Sequence, residues 1–159
     1  ESSAASDVYK RQEYKFRKEG RLLTSGGMGT MGYSVPAAIG AKMADDSRAT
    51  VAICGDGAFQ MSFMELATAV QFGVDIKVVV MTNNRLGMVR ELQTNGYHDR
   101  QTAVFLDGSP DFIKLAEAYG IPAMRVYDDD TMEKGIEMLA EHKGICLVEV
   151  VVDKDMPTL

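Results

Sequence analysis

Gly55-Asp56-Gly57 and Asn83-Asn84 are the two turn motifs around which the sequence is organised. Each follows an apolar run, at residues 49–54 and 76–81, that is typical of a buried strand. Apolar residues at helical spacing between the two runs predict a helix over residues 59–72. The order strand, turn, helix, strand, turn therefore predicts a βαβ unit with two parallel strands.

Parallel strands end at one edge of their sheet, where open α/β folds bind ligands, so Asp56 and Asn83 are predicted to share a ligand. The backbone N–H groups of Gly57 and Ala58 suit a phosphate at a helix N-terminus. The carboxylate of Asp56 alone would repel that phosphate, and a magnesium ion between them removes the conflict because Mg²⁺ prefers oxygen ligands. The structural alternative is that both motifs are ordinary turn residues.

The composition narrows the class of protein. Of 159 residues, 46% are hydrophobic and 25% are charged, which is typical of one soluble globular domain with its own core. The net charge of −6 argues against a nucleic-acid partner, and no apolar run is long enough to span a membrane. Cys54 and Cys146 lie in strand-like runs, which predicts reduced, buried thiols and a cytoplasmic location.

The rest of the chain continues the alternation of helices and strands. The predicted elements are a helix capped by Ser34 with Pro36 in its first turn, a short helix over 87–93, a helix from the cap Ser109-Pro110-Asp111 to Gly120, a strand over 123–126, a helix capped by Asp130 and ending at Glu141, and a strand over 145–152. This alternation predicts an α/β fold: a doubly wound, mostly parallel sheet with helices on both faces.

Three further stretches lie outside this pattern. Residues 26–32 hold four glycines, which predicts a loop whose backbone bends tightly or approaches a ligand closely. Residues 94–109 are polar and without periodicity, which favours a functional loop. Residues 1–12 fit no core pattern and are interpreted as a tag, linker or artefact, which leaves 13–159 as the domain.

The two turn motifs resemble the thiamin-diphosphate fingerprint of the thiamin-dependent enzymes. From residue 13 onward the chain resembles the C-terminal, pyrophosphate-binding domain of the acetolactate synthase (acetohydroxyacid synthase) large subunit. The segments that carry this closer resemblance are Thr24-Ser25-Gly26-Gly27-Met28-Gly29-Thr30-Met31-Gly32-Tyr33, Pro36-Ala37-Ala38-Ile39-Gly40-Ala41, Leu86-Gly87-Met88-Val89, Pro110-Asp111-Phe112-Ile113-Lys114-Leu115-Ala116 and Val148-Glu149-Val150.

The resemblance implies thiamin diphosphate and Mg²⁺ as cofactors. Asp56, Asn83 and the main-chain oxygen of Arg85 would bind the metal. Gly57 and Ala58 would hold the diphosphate through their backbone N–H groups.

The resemblance also assigns residues to the rings of the cofactor. Gly29 would accept a hydrogen bond from the aminopyrimidine amine, and Met31 would be the apolar wedge that forces the bent cofactor conformation. Met88 would lie near the substrate. Since the chain contains 11 methionines, the alternative for Met31 is an ordinary core residue.

In this family the thiazolium carbon attacks pyruvate, carbon dioxide leaves, and the carbanion adds to a second 2-ketoacid in branched-chain amino-acid biosynthesis. The chain is interpreted as part of such a transferase. A pyruvate oxidase or 2-ketoacid decarboxylase remains an alternative. From another class, a non-catalytic phosphate- or nucleotide-binding α/β module remains open as well.

No catalytic residue is assigned, because the resemblance places the activating glutamate on a separate N-terminal domain of a partner subunit. A middle domain that would bind FAD and an upstream Gln/His loop are likewise expected outside the chain, so the isolated fragment is predicted to be inactive.

The implied partners are 2-ketoacids, the remainder of the chain, a second subunit in a homodimer or tetramer and a regulatory small subunit, without nucleic acid or membrane. Leu92 stands where many synthases have a Trp that selects the second ketoacid, which leaves that preference open. His98 and His142 receive no catalytic role.

Overall fold

A computed structural model describes residues 21–154 of the chain. Its elements are helix α1 (Ser34–Ala44), strand β1 (Val51–Gly55), helix α2 (Asp56–Gln60), a 3-10 turn (Phe63–Glu65), helix α3 (Leu66–Gln71), strand β2 (Lys77–Thr82), helix α4 (Gly87–Gly96), helix α5 (Phe112–Ala118), strand β3 (Ala123–Val126), helix α6 (Asp129–Glu141) and strand β4 (Cys146–Val151). Within this part of the chain, no helix combines the length and apolar character needed to cross a membrane.

The four strands form one parallel sheet in the order β1-β2-β4-β3. The register pairs Gly55 at the end of β1 with Met81 of β2, and Thr82 at the end of β2 with Val151 of β4. All strands therefore end at the same edge of the sheet. The predicted α/β class with a parallel sheet is confirmed.

Helices cover the sheet on both faces because side chains alternate along each strand. One face of β2 and β4 presents Val78, Val80 and Leu147 to a core that includes Phe59 and Phe112. The two phenylalanine rings meet edge to face, with centroids 5.3 Å apart and planes at 82°. This cluster buries the inner faces of α1, α2, α3 and α5.

The opposite face of β3 and β4 is covered by α6. The helix approaches closely at Gly135, where an added Cβ would lie 3.0 Å from a methyl group of Val126 and 3.3 Å from one of Val148. Both valines are only 2% exposed. Glycine at this position lets the helix backbone lie directly on the two strands.

The helix predicted over residues 59–72 is wrong as a single element. The helix begins earlier, at Asp56, and breaks after Gln60, because Ser62 adopts φ −145° and ψ 11°, which no α-helix accommodates. The chain then continues through the 3-10 turn into α3. The apolar spacing correctly marked Phe59 and Leu66 as buried but did not report this break.

Two predicted helix caps are also wrong. Ser34 is the first residue of α1 rather than its cap, and its hydroxyl donates to the carbonyl of Ile53 at 3.0 Å. The cap of α6 is Asp128 rather than Asp130; Asp128 accepts from the N–H of Thr131 at 2.9 Å in a capping box.

Other boundaries agree more closely with the predictions. Asp111 caps α5 by accepting from the N–H groups of Ile113 and Lys114, and the strand over 123–126 is found as predicted. The predicted loop over 94–109 is shorter, because α4 continues to Gly96. The interpretation of residues 1–12 falls on residues outside the described part of the chain.

Gly135→Ala should lower the free energy of unfolding by about 1 kcal/mol, because the added methyl group meets two buried, β-branched valines that have little freedom to move. Gly40→Ala in α1 is the matched control: a Cβ there has no neighbour within 4 Å. It should raise the free energy of unfolding by about 0.5–1 kcal/mol through helix propensity. Denaturant unfolding followed by circular dichroism measures both, and equal shifts would contradict the close packing at Gly135.

Candidate functional site

The candidate site lies where β1 and β2 end, and the carboxylate of Asp56 is at its centre. Asp56 is the first residue of α2 and is only 2% exposed. Its Oδ1 accepts the N–H of Gly57 at 2.8 Å, and its Oδ2 accepts the N–H groups of Asn83 at 3.2 Å and Asn84 at 2.6 Å. One buried side chain thus joins the two turn motifs.

The electrostatic balance at Asp56 is unusual for a carboxylate. Burial raises the pKa of Asp56 above its usual value, although hydrogen bonds from the N–H groups of Gly57, Asn84 and Asn83 act in the opposite direction. Within residues 21–154 the hydrogen-bond donors to the carboxylate are all neutral backbone N–H groups. Because a buried anion is costly without positive charge, this environment favours a cation beside Asp56.

Asn83 meets Asp56 through its backbone rather than through its side chain. The amide oxygen of Asn83 accepts the N–H of Arg85 at 3.0 Å, within its own turn. Asn84, whose N–H donates to Asp56, has a φ of +55°, a left-handed conformation that asparagine tolerates better than most residues. The structural role of Asn84 was missed, although an asparagine directly after a strand was a usable signal.

A short antiparallel contact joins residues 84–86, at the Asn83-Asn84 turn, to residues 104–106. The N–H of Leu86 donates to Val104 at 2.9 Å, and the N–H of Leu106 donates to Asn84 at 2.9 Å. The guanidinium of Arg85 lies 4.7 Å from the ring centre of Phe105 and pairs with Asp107 at 3.0 Å. The sequence analysis did not predict this contact between the Asn turn and residues 104–107.

Gly57 lies beneath three apolar side chains. A Cβ at Gly57 would lie 2.6 Å from Leu86, 3.2 Å from Leu106 and 3.2 Å from the terminal methyl group of Met31. Met31 belongs to the glycine-rich loop, so the structure brings that loop against the Gly-Asp-Gly turn. Only a residue without a side chain fits at Gly57 without displacing its neighbours.

The glycine-rich loop bends as its composition predicts. Gly29 has a φ of +63° and its N–H donates to the carbonyl of Ser25 at 2.8 Å. Gly32 has a φ of +82°, and a Cβ there would lie 3.1 Å from the Cβ of Met61. Left-handed backbone at both positions explains why glycine is needed at these two points of the loop.

The remaining residues singled out from the sequence have no described contact with Asp56. Ala58 continues α2, and Met88 is half-buried in the first turn of α4. Leu92 lies on the same helix and is 61% exposed. His98 is exposed in the loop after α4, and His142 ends α6, where its carbonyl accepts from Lys77.

The oxygen atoms available near Asp56 fit a hard cation that is also coordinated by oxygens of a bound molecule. Between residues 21 and 154 there is no cluster of three or more His, Cys, Asp or Glu side chains that could hold a metal alone. The candidate donors are one carboxylate, one side-chain amide and backbone carbonyls. Magnesium sites commonly combine one or two such protein oxygens with substrate phosphates and water.

Comparison with known proteins identifies the family. Residues 5–150 match the family described as "Thiamine pyrophosphate enzyme, C-terminal TPP binding domain". This match covers most of the chain, and it includes the glycine-rich loop, both turn motifs, strands β1 to β3 and β4 up to Val150.

Several acetolactate synthases are similar to the chain. It is 43% identical over 148 residues to the mitochondrial acetolactate synthase catalytic subunit of Aspergillus candidus, covering 93% of this chain and 21% of that protein. It is 43% identical over 136 residues to the acetolactate synthase of Arthrospira platensis, covering 85% of this chain and 24% of the relative. It is 41% identical over 143 residues to the acetolactate synthase large subunit of Lactococcus lactis subsp. lactis (strain IL1403), covering 90% of this chain and 25% of that protein.

The chain thus spans about a quarter or less of the length of these relatives. Of the described residues, the family match includes 21–150. The chain therefore belongs to the family of C-terminal thiamin-pyrophosphate-binding domains of thiamin-pyrophosphate enzymes, and within it is similar to the acetolactate synthases.

Proposed function

We propose that the chain is the part of an acetolactate-synthase-like enzyme that binds thiamin diphosphate together with Mg²⁺. The full-length enzyme would decarboxylate pyruvate and condense the product with a second 2-ketoacid, a step of branched-chain amino-acid biosynthesis. The observation that carries the proposal is the buried carboxylate of Asp56 at the strand edge, whose hydrogen-bond donors within the described residues 21–154 are neutral backbone N–H groups.

The proposed metal ligands are Asp56, the side-chain oxygen of Asn83 and the main-chain oxygen of Arg85. All three belong to the two turns that the Asp56 carboxylate joins. A divalent cation at this point would compensate the charge of Asp56 and that of a diphosphate. The raised pKa of Asp56 supports this proposal, because it reflects a carboxylate that burial leaves short of positive charge.

The proposed contacts to the organic cofactor come from two segments. Ala58 would donate its backbone N–H to the diphosphate at the start of α2, and Gly57 would do so once the Asp56 carboxylate, which accepts the Gly57 N–H in the structure, turns to the metal. Met31, packed against Gly57, would support the bent cofactor, and Gly29 would accept from the aminopyrimidine amine. Met88 would contribute to the substrate pocket. When bound, thiamin diphosphate supplies the electron sink for decarboxylation, while these residues orient it and exclude water.

The activity further requires segments that the 159 residues do not contain. We propose that residues 13–159 form the C-terminal domain of a longer chain whose N-terminal domain supplies the activating glutamate from a second subunit. A homodimer or tetramer, a regulatory small subunit and bound FAD belong to the same proposal. The coverage of about a quarter of each relative supports a longer chain. Two free, buried cysteines support a reducing compartment such as the cytoplasm.

Asp56→Asn should weaken Mg²⁺-dependent binding of thiamin diphosphate by about 100-fold, equivalent to roughly 2.7 kcal/mol, because the metal loses its only anionic protein ligand. Calorimetric titration of the full-length protein measures this affinity, and circular dichroism verifies the fold. Asp46→Asn is the matched control, since it removes the same charge from an exposed residue after α1. Unchanged Mg²⁺-dependent affinity in a folded Asp56→Asn variant would refute the metal assignment.

Met31→Ala should weaken binding of thiamin diphosphate by about tenfold, because it removes roughly 1.5 kcal/mol of apolar contact with the cofactor. Met28→Ala is the control from the same loop, since Met28 is 93% exposed. The same titration, repeated with inorganic diphosphate, should show no effect of either variant. A site that binds only phosphate groups predicts equal affinity for all three proteins, and that result would favour the non-catalytic module.

The full-length protein supplied with pyruvate, thiamin diphosphate and Mg²⁺ should release acetolactate, because the carbanion meets a second ketoacid. Product analysis by mass spectrometry measures the outcome. The isolated 159 residues should form no acetolactate, since they lack the activating glutamate. Acetaldehyde or acetate as the main product of the full-length protein would instead indicate a decarboxylase or an oxidase.

A further inference from the structure

An ion-pair network with one buried member lies on strands β3 and β4 of the sheet that carries the candidate site. Glu149 of β4 is 3% exposed, and its register partner on β3 is Arg125. The Nε of Arg125 donates to Glu149 at 2.7 Å, and one terminal nitrogen donates to Asp111 at 2.9 Å. The guanidinium therefore bridges a carboxylate inside the sheet and a carboxylate on a loop.

Asp111 is the last residue of a segment that reaches the candidate site. We call residues 104–111 the covering loop. At its other end, Leu106 packs against Gly57 and donates its N–H to the carbonyl of Asn84 at 2.9 Å. Between these points the hydroxyl of Ser109 donates to the carbonyl of Leu106 at 2.7 Å and accepts from the side chain of Gln60 in α2 at 3.0 Å.

The two ends of the covering loop are thus held by different parts of the fold. Arg125 holds Asp111 at the end near α5, while the two turn motifs hold Leu106. Proline at position 110 restricts the backbone between Ser109 and Asp111. A displacement of Asp111 would therefore act through Pro110 on Ser109, whose hydroxyl donates to the carbonyl of Leu106.

Stability alone is a weak explanation for this network. The side chains of Arg125 and Asp111 are 28% and 38% exposed, and ion pairs open to solvent typically stabilise a fold by only about 0–1 kcal/mol. Its geometry is specific, however, because a planar guanidinium presents its donors in a fixed fork. Such a group is suited to setting the position of the elements that it joins.

We propose that Arg125 is a positioning residue for the cofactor site. Anchored by Glu149, it fixes Asp111 and with it the covering loop, so that Leu106 stays packed over Gly57 beside the diphosphate-binding N–H groups. This inference rests on the proposed function, which gives Gly57 its role. It assigns to the Arg125–Glu149–Asp111 network an effect on cofactor affinity in addition to its effect on folding.

Arg125→Met in the full-length protein should weaken Mg²⁺-dependent binding of thiamin diphosphate by about tenfold, the lower end of the effects seen when supporting residues around a site are removed. Hydrogen exchange followed by mass spectrometry should show faster exchange in peptides covering the covering loop. Peptides covering β1 and β2 should keep their protection. A merely structural role would lower the melting temperature without this local change.

Lys77→Met is the matched control, because it likewise replaces a cation in an ion pair with methionine. Lys77 is 9% exposed and lies at the opposite edge of the sheet, where its ammonium group contacts Asp75 and the carbonyls of His142 and Gly144. It should lower the melting temperature while leaving cofactor affinity and exchange of the covering loop unchanged. Equal effects of Lys77→Met and Arg125→Met on both readouts would overturn the proposal.

Asp111→Asn keeps the test informative if Arg125→Met fails to fold. Asparagine caps helices about as well as aspartate, so α5 remains capped while the charged link to Arg125 is lost. Faster exchange of the covering loop with weaker cofactor binding supports the proposal, and unchanged values refute it. If the wild-type protein itself does not bind thiamin diphosphate, the proposed function fails, whereas normal wild-type binding with unaffected variants rejects only the role of Arg125.

Discussion

The candidate site depends on the hydrogen bonds that the carboxylate of Asp56 accepts. The carboxylate is almost fully buried, yet it accepts N–H groups from its own turn and from the turn after β2. These hydrogen bonds stabilise the charged form, whereas burial opposes it, and burial prevails in the raised pKa. Asp56 therefore joins the ends of two strands, and its buried charge favours a cation at the point where they meet.

Four separate segments meet around that carboxylate. The glycine-rich loop contributes Met31, the first turn contributes Gly57, the second contributes Leu86, and the covering loop contributes Leu106. Loops supply these groups while the parallel sheet fixes the positions from which the loops depart, which is the usual division of labour in α/β proteins. The crowding over Gly57 shows how closely the segments approach.

Helices and strands were predicted correctly where buried residues recur with a simple period. Predictions failed where the local sequence is compatible with several backbone conformations or caps. Strands buried on both faces appear as continuous apolar runs, so β2 was found with an error of one residue at each end. The break after Gln60 left the apolar spacing intact, so the pattern recorded burial without recording the change of direction. Among the consecutive aspartates 128–130, only the geometry of Thr131 selects Asp128 as the cap.

The amino-acid sequence alone determined that Asp56 and Asn83 end neighbouring parallel strands, because strand direction places both turns at one edge. Only the tertiary structure decided that Asn83 and Asn84 meet Asp56 through backbone N–H groups, that Leu106 covers Gly57, and that Arg125 joins Glu149 to Asp111. The physical reason is that these contacts join residues far apart in the chain. Their geometry depends on the paths of intervening loops, which no local periodicity encodes.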